Sequence, residues 1–297
     1  MRVESQTRYF WPSTLDPQPS TPMLLGYNTN GFAHHRFEDA VAILAEIGYE
    51  SIAITLDHHV LNPFDPNLSQ HVDSMRRLLE KNRLRSVIET GARFLLHDRL
   101  KHQPTLVSES PEDRALRISF LKRAIDIAAT LGSDAVSLWS GALQDQTSLD
   151  DAISRLITGC RETLDYALTK NVRLAFEPEP GMFIARMSEF AELSRRIDHP
   201  LFGLTLDVGH VHCLDDGPIP RVLDEWRDRL FNVHIEDMRR GVHDHLMFGE
   251  GEIDFPPVIT KLREIGYNGG VHVELSRHSH DAVNVARRAH GFLRPMI

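Results

Sequence analysis

Residues 172–177 read VRLAFE, 202–207 FGLTLD, 230–236 LFNVHIE and 270–275 GVHVEL. Each is an apolar run of strand length with an ionisable group at or near its C-terminal end: Glu177, Asp207, His234 and Glu274. Runs of four to eight mostly apolar residues read as strands buried on both faces, which is the signature of a parallel sheet. The segments between them change to helical period over Ser188–Ile197, Ile219–Trp226 and Pro256–Ile265, with Ser188 read as an N-cap.

Working outward, the same beat extends in both directions. Strands are predicted over Met23–Tyr27, Ser51–Leu56, Leu84–Glu89 and Ala135–Trp139. Helices are predicted over Phe37–Ile47, Asn67–Asn82, Glu112–Leu131 and Ser148–Lys170, with a last one over Asp281–Phe292. Gly48 and Gly132 stand where a helix C-terminus favours glycine. Eight strand–helix units with none left over argue for closure, and the expected fold is a (βα)8 TIM barrel of the α/β class. No G-x-G-x-x-G follows the first strand, which argues against a dinucleotide-binding sheet. No linker-like break interrupts residues 23–297, so they are taken as one barrel domain. Residues 1–22 carry Pro12, Pro17, Pro19 and Pro22 and no continuous apolar stretch. They read as an extended N-terminal arm, not a signal peptide.

Composition narrows the function classes. The 297 residues, with a net charge of −9, favour neither a nucleic acid partner nor, lacking an apolar run of 18 residues, a membrane span. The two cysteines, Cys160 and Cys213, are too few for a disulfide framework, so a reducing, cytoplasmic setting is the expectation. Cys160 shares a helix face with Ile153, Leu156, Ile157 and Leu164 and is expected to be buried, whereas Cys213 lies close in sequence to the candidate ligands.

In a barrel of this type the working residues lie at the C-terminal ends of strands and in the loops that follow. Four consecutive strands then place Glu177, Asp207, His234 and Glu274 on one rim. Three carboxylates converging there would repel one another, and a divalent cation is the simplest partner for that donor set. Mixed oxygen and nitrogen ligation suits Mn²⁺, Co²⁺, Mg²⁺, Fe²⁺ or Zn²⁺ without choosing among them. Taken singly, each residue has a plainer reading: a strand-end solvating group, a turn residue before Gly209, or a core histidine. Glu179 competes with Glu177, which is favoured because it directly ends its strand. Trp139, at the end of the fourth strand, suits stacking on the apolar face of a ligand or a place in the wall.

The segments LAFEP (174–178), LTLDVGH (204–210), NVHIED (232–237), FGEGEIDF (248–255) and VHVEL (271–275) resemble those of the xylose isomerase-like TIM-barrel superfamily, the group of sugar-phosphate isomerases, epimerases and apurinic endonucleases. The resemblance covers most of the chain after residue 22 and implies one divalent metal held by Glu177, Asp207, His234 and Glu274. It further implies a small sugar-like substrate and an acid/base pair of Glu177 and Glu274 that moves a proton at carbon. By the same resemblance His210 and Arg240 would contact substrate, with Arg239 a weaker match. His243 and His245 stand where related endonucleases carry an Asp-x-His metal pair, and His245 is taken as substrate-binding, for a phosphate or carboxylate, or as part of a second metal site. A homo-oligomer is compatible with all of this.

Other readings of the same residues stay open. A metal-dependent phosphodiesterase like the apurinic endonucleases would, by the same resemblance, carry extra histidines at the ends of the third and fourth strands, but Leu138-Trp139-Ser140-Gly141 has none and His97 lies several residues past the third. A lyase or dehydratase would use the same ligands, and a non-catalytic binding barrel would need none of the chemistry. His58 and His59 also follow a strand and read as loop.

Overall fold

Eight of the apolar runs pair in parallel and close on themselves in the computed structural model, which describes residues 23–297. The strands are β1 (Leu24–Asn28), β2 (Ser51–Thr55), β3 (Arg85–Glu89), β4 (Val136–Leu138), β5 (Leu174–Phe176), β6 (Phe202–Asp207), β7 (Leu230–Ile235) and, after a short hairpin, β10 (Gly270–Val273). Their order around the barrel is sequential, and β1 closes it by pairing with both β2 and β10. The (βα)8 barrel is therefore as expected, with nearly every strand residue buried because helices cover the outer face. The expected N-terminal arm lies outside the described residues.

The covering helices are α1 (Phe37–Ile47), α2 (Leu68–Asn82), α3 (Pro111–Leu131), α4 (Leu149–Lys170) and α5 (Met187–Ile197), then α7 (Ile219–Trp226), α8 (Phe255–Glu264) and α9 (Ala282–Leu293). Ser110 and Ser148 cap α3 and α4, accepting from the backbone N–H of Asp113 and Asp151 at 3.2 and 3.0 Å. Gly48 ends α1 at φ 109°, a left-handed conformation that glycine adopts without a Cβ penalty. Ser188 does not cap α5, which begins one residue earlier. There Glu189 accepts from the backbone N–H groups of Ala185 and Arg186, and Asp216 accepts from that of Met187. Two carboxylates thus hold the backbone donors at the start of the helix, upstream of those a Ser188 cap would have met.

Two small elements were not foreseen. Val208–Cys213 forms a six-residue helix, α6, directly after β6, with Asp207 accepting from the His210 N–H at its start. Asp237–Arg239 (β8) and Val242–Leu246 (β9) form an antiparallel hairpin after β7. A helix of six residues is too short to show a period, and VHDHL carries histidines where a buried strand would carry aliphatics.

The barrel interior is partly polar and its groups bond to one another. His272 sits between Ser51 Oγ and Asn232 Oδ1, each 2.9 Å from a ring nitrogen. Asn232 Nδ2 in turn donates to Glu89 Oε1 at 3.0 Å, and Thr205 Oγ1 donates to Ser137 Oγ at 2.9 Å. Burial pulls the His272 imidazole down to about 3, so it stays neutral and can both donate and accept. Gly26 and Gly270 leave the room for this ring, since a Cβ at either would overlap it. The chain of bonds rises from the barrel interior to the C-terminal rim, where the four candidate ligands lie.

Candidate metal centre

Glu177 follows β5 directly, and its backbone N–H is tied to the Leu138 carbonyl at 2.8 Å, which holds it against the end of β4. Asp207 ends β6 in register with His234 of β7. Glu274 follows β10, its backbone N–H bonded to the Ile235 carbonyl at 3.2 Å. Alternation along the strands sends these side chains to one mouth. One ligand atom from each of Glu177, Asp207, His234 and Glu274 falls within 4.8 Å of all the others. His234 Nδ1 is at the centre, 2.9 Å from Glu274 Oε2, 3.1 Å from Glu177 Oε1 and 3.9 Å from Asp207 Oδ2.

Two neighbours that the sequence reading passed over orient this set. Glu89, buried at the end of β3, accepts from His234 Nε2 at 2.9 Å. That bond would keep a proton on Nε2 and offer Nδ1 to a cation that displaces its proton, the arrangement by which an outer carboxylate fixes a ligating imidazole. Asn30, just after β1, donates to Glu274 Oε1 at 2.8 Å. An acid facing a candidate ligand histidine across the barrel was the available signal for Glu89, but nothing in its local sequence sets it apart from an ordinary strand end.

Burial and charge push the acids in opposite directions. Burial first, then the charges of Glu274 and Asp207 against the pull of His234, takes the Glu177 carboxyl up to about 8. Glu274 is half-buried, and although desolvation raises it, His234, His245 and the Asn30 hydrogen bond hold it well below the usual carboxylate range. Burial opposes charge on His234 as well, and Glu89, Glu177 and Glu274 outweigh it, holding the imidazole well above its usual range. Asp207 Oδ2 is buried without a hydrogen-bond partner. An orphaned buried carboxylate oxygen, aimed at three further donors, fits a divalent cation: three oxygens and one imidazole nitrogen match the hard-to-borderline metals.

Glu177, His234 and Glu274 line a cavity of about 470 Å³ to which every barrel strand or its following loop contributes, and Asp207 lies against them outside its lining. Glu179 lies on its wall, not among the four grouped ligands, and burial raises its carboxyl well above the usual range. Trp139 forms another part of the wall, backed by the buried Arg117 guanidinium 4.7 Å from its ring centroid and edged by His102. Burial lowers the Arg117 guanidinium to about 9, which leaves it protonated at neutral pH. His210, His243 and His245 converge on one side. Lys101, Arg93 and Arg277 line the cavity too. The first two come from the long β3–α3 loop, whose course sequence period does not reveal.

Arg240 is not brought into the cavity. It is exposed and paired with Asp215, because the β8–β9 turn carries it to the outer surface. Arg239 is also exposed, bonded to the Glu250 carbonyl. His58 and His59 lie in an exposed turn, and His97 accepts from the backbone of Arg99 and Leu100. Cys160 is fully buried, its thiol pushed up to about 12, and Cys213 joins none of the ligand groups among the described residues. No helix among the described residues is long and apolar enough to cross a membrane.

The chain is similar to known proteins in the same terms. It is 27% identical over 191 residues to L-ribulose-5-phosphate 3-epimerase UlaE of Salmonella paratyphi A, covering 64% of this chain and 67% of that protein. Among solved structures, 3-keto-D-glucoside 4-epimerase YcjR from E. coli superposes with a TM-score of 0.75 at 16% identity, over 92% of this chain and all of that one. A structure of the IOLI protein with a bound zinc atom superposes with a TM-score of 0.72 at 17% identity, over 92% and 98% of the two chains. The two structural likenesses bear on fold, and the named epimerases are isomerases acting on sugars. A family model described as xylose isomerase-like TIM barrel matches residues 41–296, and the chain belongs to that family.

Proposed function

We propose that this protein is a divalent-metal-dependent epimerase or isomerase of a sugar or sugar phosphate, moving a proton at carbon between Glu177 and Glu274. The observation that supports the reading is geometric: Glu177 and Glu274 come from strands on either side of β7, each lies within 3.1 Å of His234 Nδ1, and both line the cavity. A divalent cation held by Glu177, Asp207, His234 and Glu274 would polarise a substrate carbonyl and its neighbouring hydroxyl, acidifying the C–H between them. One glutamate would take that proton at a carboxylate oxygen, and the other, carrying a proton drawn from solvent, would deliver it to the opposite face of the same carbon. Trp139 offers an aromatic wall for the apolar face of a sugar. His210 and His245 reach the cavity and suit substrate oxygens, whereas Arg240, which faces outward, is withdrawn from that role.

Lys101, Arg93 and Arg277 add positive charge to the wall, which suits a phosphate group, and the UlaE relative is named for a ketose phosphate. The test is solvent exchange. With Mn²⁺ present, incubation of L-ribulose 5-phosphate and of unphosphorylated ketoses in heavy water should place deuterium at one carbon next to the carbonyl, at a rate abolished by chelation. A loss of water from substrate with no exchanged substrate recovered would point to the lyase reading and sink this one.

Glu89 supplies a second measurable consequence. Glu89→Gln should weaken divalent-cation affinity by about 10- to 100-fold in calorimetric titration, because an amide cannot hold the His234 tautomer as a carboxylate does. Unchanged affinity would remove Glu89 from the ligand-orienting role.

A further inference from the structure

The β3–α3 loop brings a further histidine to the cavity, one that the sequence reading passed over. His102 lines the cavity beside Trp139, and the two rings meet edge to face with centroids 5.4 Å apart at 87°. Its backbone N–H donates to the Arg93 carbonyl, and its Nδ1 lies 2.6 Å from the Gly91 carbonyl. A carbonyl oxygen only accepts, so Nδ1 carries the proton and Nε2 the lone pair. Burial, opposed by the Gly91 bond and helped by the charges of Lys101, Arg117 and Arg93, pulls the imidazole down to about 4, so the ring is neutral at pH 7. Nε2 has no hydrogen-bond partner among the described residues and is left open on a ring that lines the cavity. His102 also sits at φ 66°, in the left-handed region. A residue with a Cβ is uncommon there, and such conformations concentrate where a side chain is held for a ligand.

The structure behind these rings is costly in the same way. Arg117, on α3, is 1% exposed, and its Nε and Nη1 have no partner. Its Nη2 donates to the Thr90 carbonyl at 2.6 Å, and its guanidinium carbon lies 4.7 Å from the Trp139 ring centroid and 5.1 Å from that of Phe120. Arg117 does not reach the cavity, so it packs on the indole from behind. Buried charged groups can often be replaced by apolar side chains of similar volume without loss of stability, so packing alone does not account for this one. Its contact with the ring holds Trp139, and its bond to Thr90 holds the strand end next to Gly91, on which His102 is tied. We propose that His102 is a substrate-binding residue whose Nε2 accepts a hydroxyl of a sugar packed on Trp139, with Arg117 as the positioning residue that holds both rings. The inference rests on the sugar reading above and adds a neutral acceptor to it. Lys101 and Arg93, its neighbours on the loop, can only donate, whereas a hydroxyl proton needs a lone pair. A sugar that turns its C–H face to the indole presents hydroxyls at its edge, where the imidazole stands across the ring.

The test is binding, not turnover. Full-length protein loaded with Mn²⁺ is titrated calorimetrically with L-ribulose 5-phosphate, with unphosphorylated ketoses, and with analogues in which one hydroxyl at a time is replaced by hydrogen. His102→Ala, at a half-buried loop position, should weaken binding of the best ligand by about 10-fold. One deoxy analogue should lose the same factor in the wild type and nothing further in His102→Ala, the non-additivity expected of two groups that bond to each other. Arg117→Met should weaken binding by a similar factor while melting no lower than the wild type. Unchanged affinity in His102→Ala, or an equal loss for every analogue, overturns the hydroxyl bond and leaves the sugar reading standing. A melting temperature lowered by more than about 2 °C in Arg117→Met, or unchanged affinity, makes Arg117 part of the fold only and overturns its positioning role. The expected losses without deuterium uptake in the exchange assay would keep this subsite and sink the proton-transfer reading. A wild type that binds none of these ligands overturns both.

Discussion

Glu274→Gln should lower turnover by about 10²- to 10⁴-fold while leaving the chain folded and able to bind metal through Glu177, Asp207 and His234. The side chain keeps its size and an oxygen, so Asn30 Nδ2 retains an acceptor. What is lost is the ionised carboxylate that His234 and Asn30 stabilise. The two-glutamate reading makes a sharper statement than loss of rate. If Glu274 serves one face of the carbon and Glu177 the other, Glu274→Gln should stop solvent exchange out of one epimer and spare it in the other, and Glu177→Gln should reverse the pattern. Proton exchange measured separately from each purified epimer reads this directly. Equal loss for both epimers in both variants would show that the glutamates act only as ligands, and an unchanged rate would remove the acid/base role.

Asp237→Ala should destabilise the protein by about 3–5 kcal/mol, the range for removing a buried group on which several hydrogen bonds converge. This carboxylate is 1% exposed and accepts four backbone N–H groups: Met238 at 2.9 Å, Gly249 at 2.8 Å, Gly251 at 2.9 Å and Ile253 at 3.1 Å. Each bond to a charged acceptor contributes more than a neutral one, and truncation leaves the Met238 and Ile253 donors buried without an acceptor while those of Gly249 and Gly251 turn to solvent. The loop it anchors is FGEGEIDF, and the close approach explains Gly251, where a Cβ would overlap the Asp237 carboxylate. At this chain length the destabilisation corresponds to a fall in Tm of roughly 6–20 °C. Thermal melting checks it, with Asp237→Asn expected to fall between the wild type and Asp237→Ala. The same loss should raise hydrogen exchange across residues 238–253, because β8 and β9 depend on the loop folded against them. A melting point within about 2 °C of wild type would show that solvent replaces the carboxylate without penalty.

The FGEGEIDF loop also shows where sequence reading reached its limit. The motif is visible as a pattern, but its mechanical reason lies in Asp237, 11 to 18 residues earlier, which no local period connects to it. Glu89 is similar. It bonds to His234, 145 positions away, and only barrel closure makes the two neighbours. Glu236 read as one more acid in NVHIED, and its lack of any partner is a property of the packed interior. Arg240 shows the converse. The family resemblance put it at the substrate, and the β8–β9 turn sends it to the surface. Spacing along a chain specifies position only while the segment is a regular strand or helix, and a hairpin breaks that relation.

What the amino-acid sequence determined by itself is the barrel and the four residues on its rim. Both rest on short-range physics. Apolar runs of strand length must be buried on both faces, and a strand positions its last residue at a known end. That is enough to bring Glu177, Asp207, His234 and Glu274 to one mouth without knowing any contact between them. The tertiary structure alone decided which carboxylates meet each nitrogen of His234, which carboxyl groups burial raises, and which buried oxygens are left without a partner. These depend on desolvation and on charges brought together from distant strands, and both come into being only when the barrel closes.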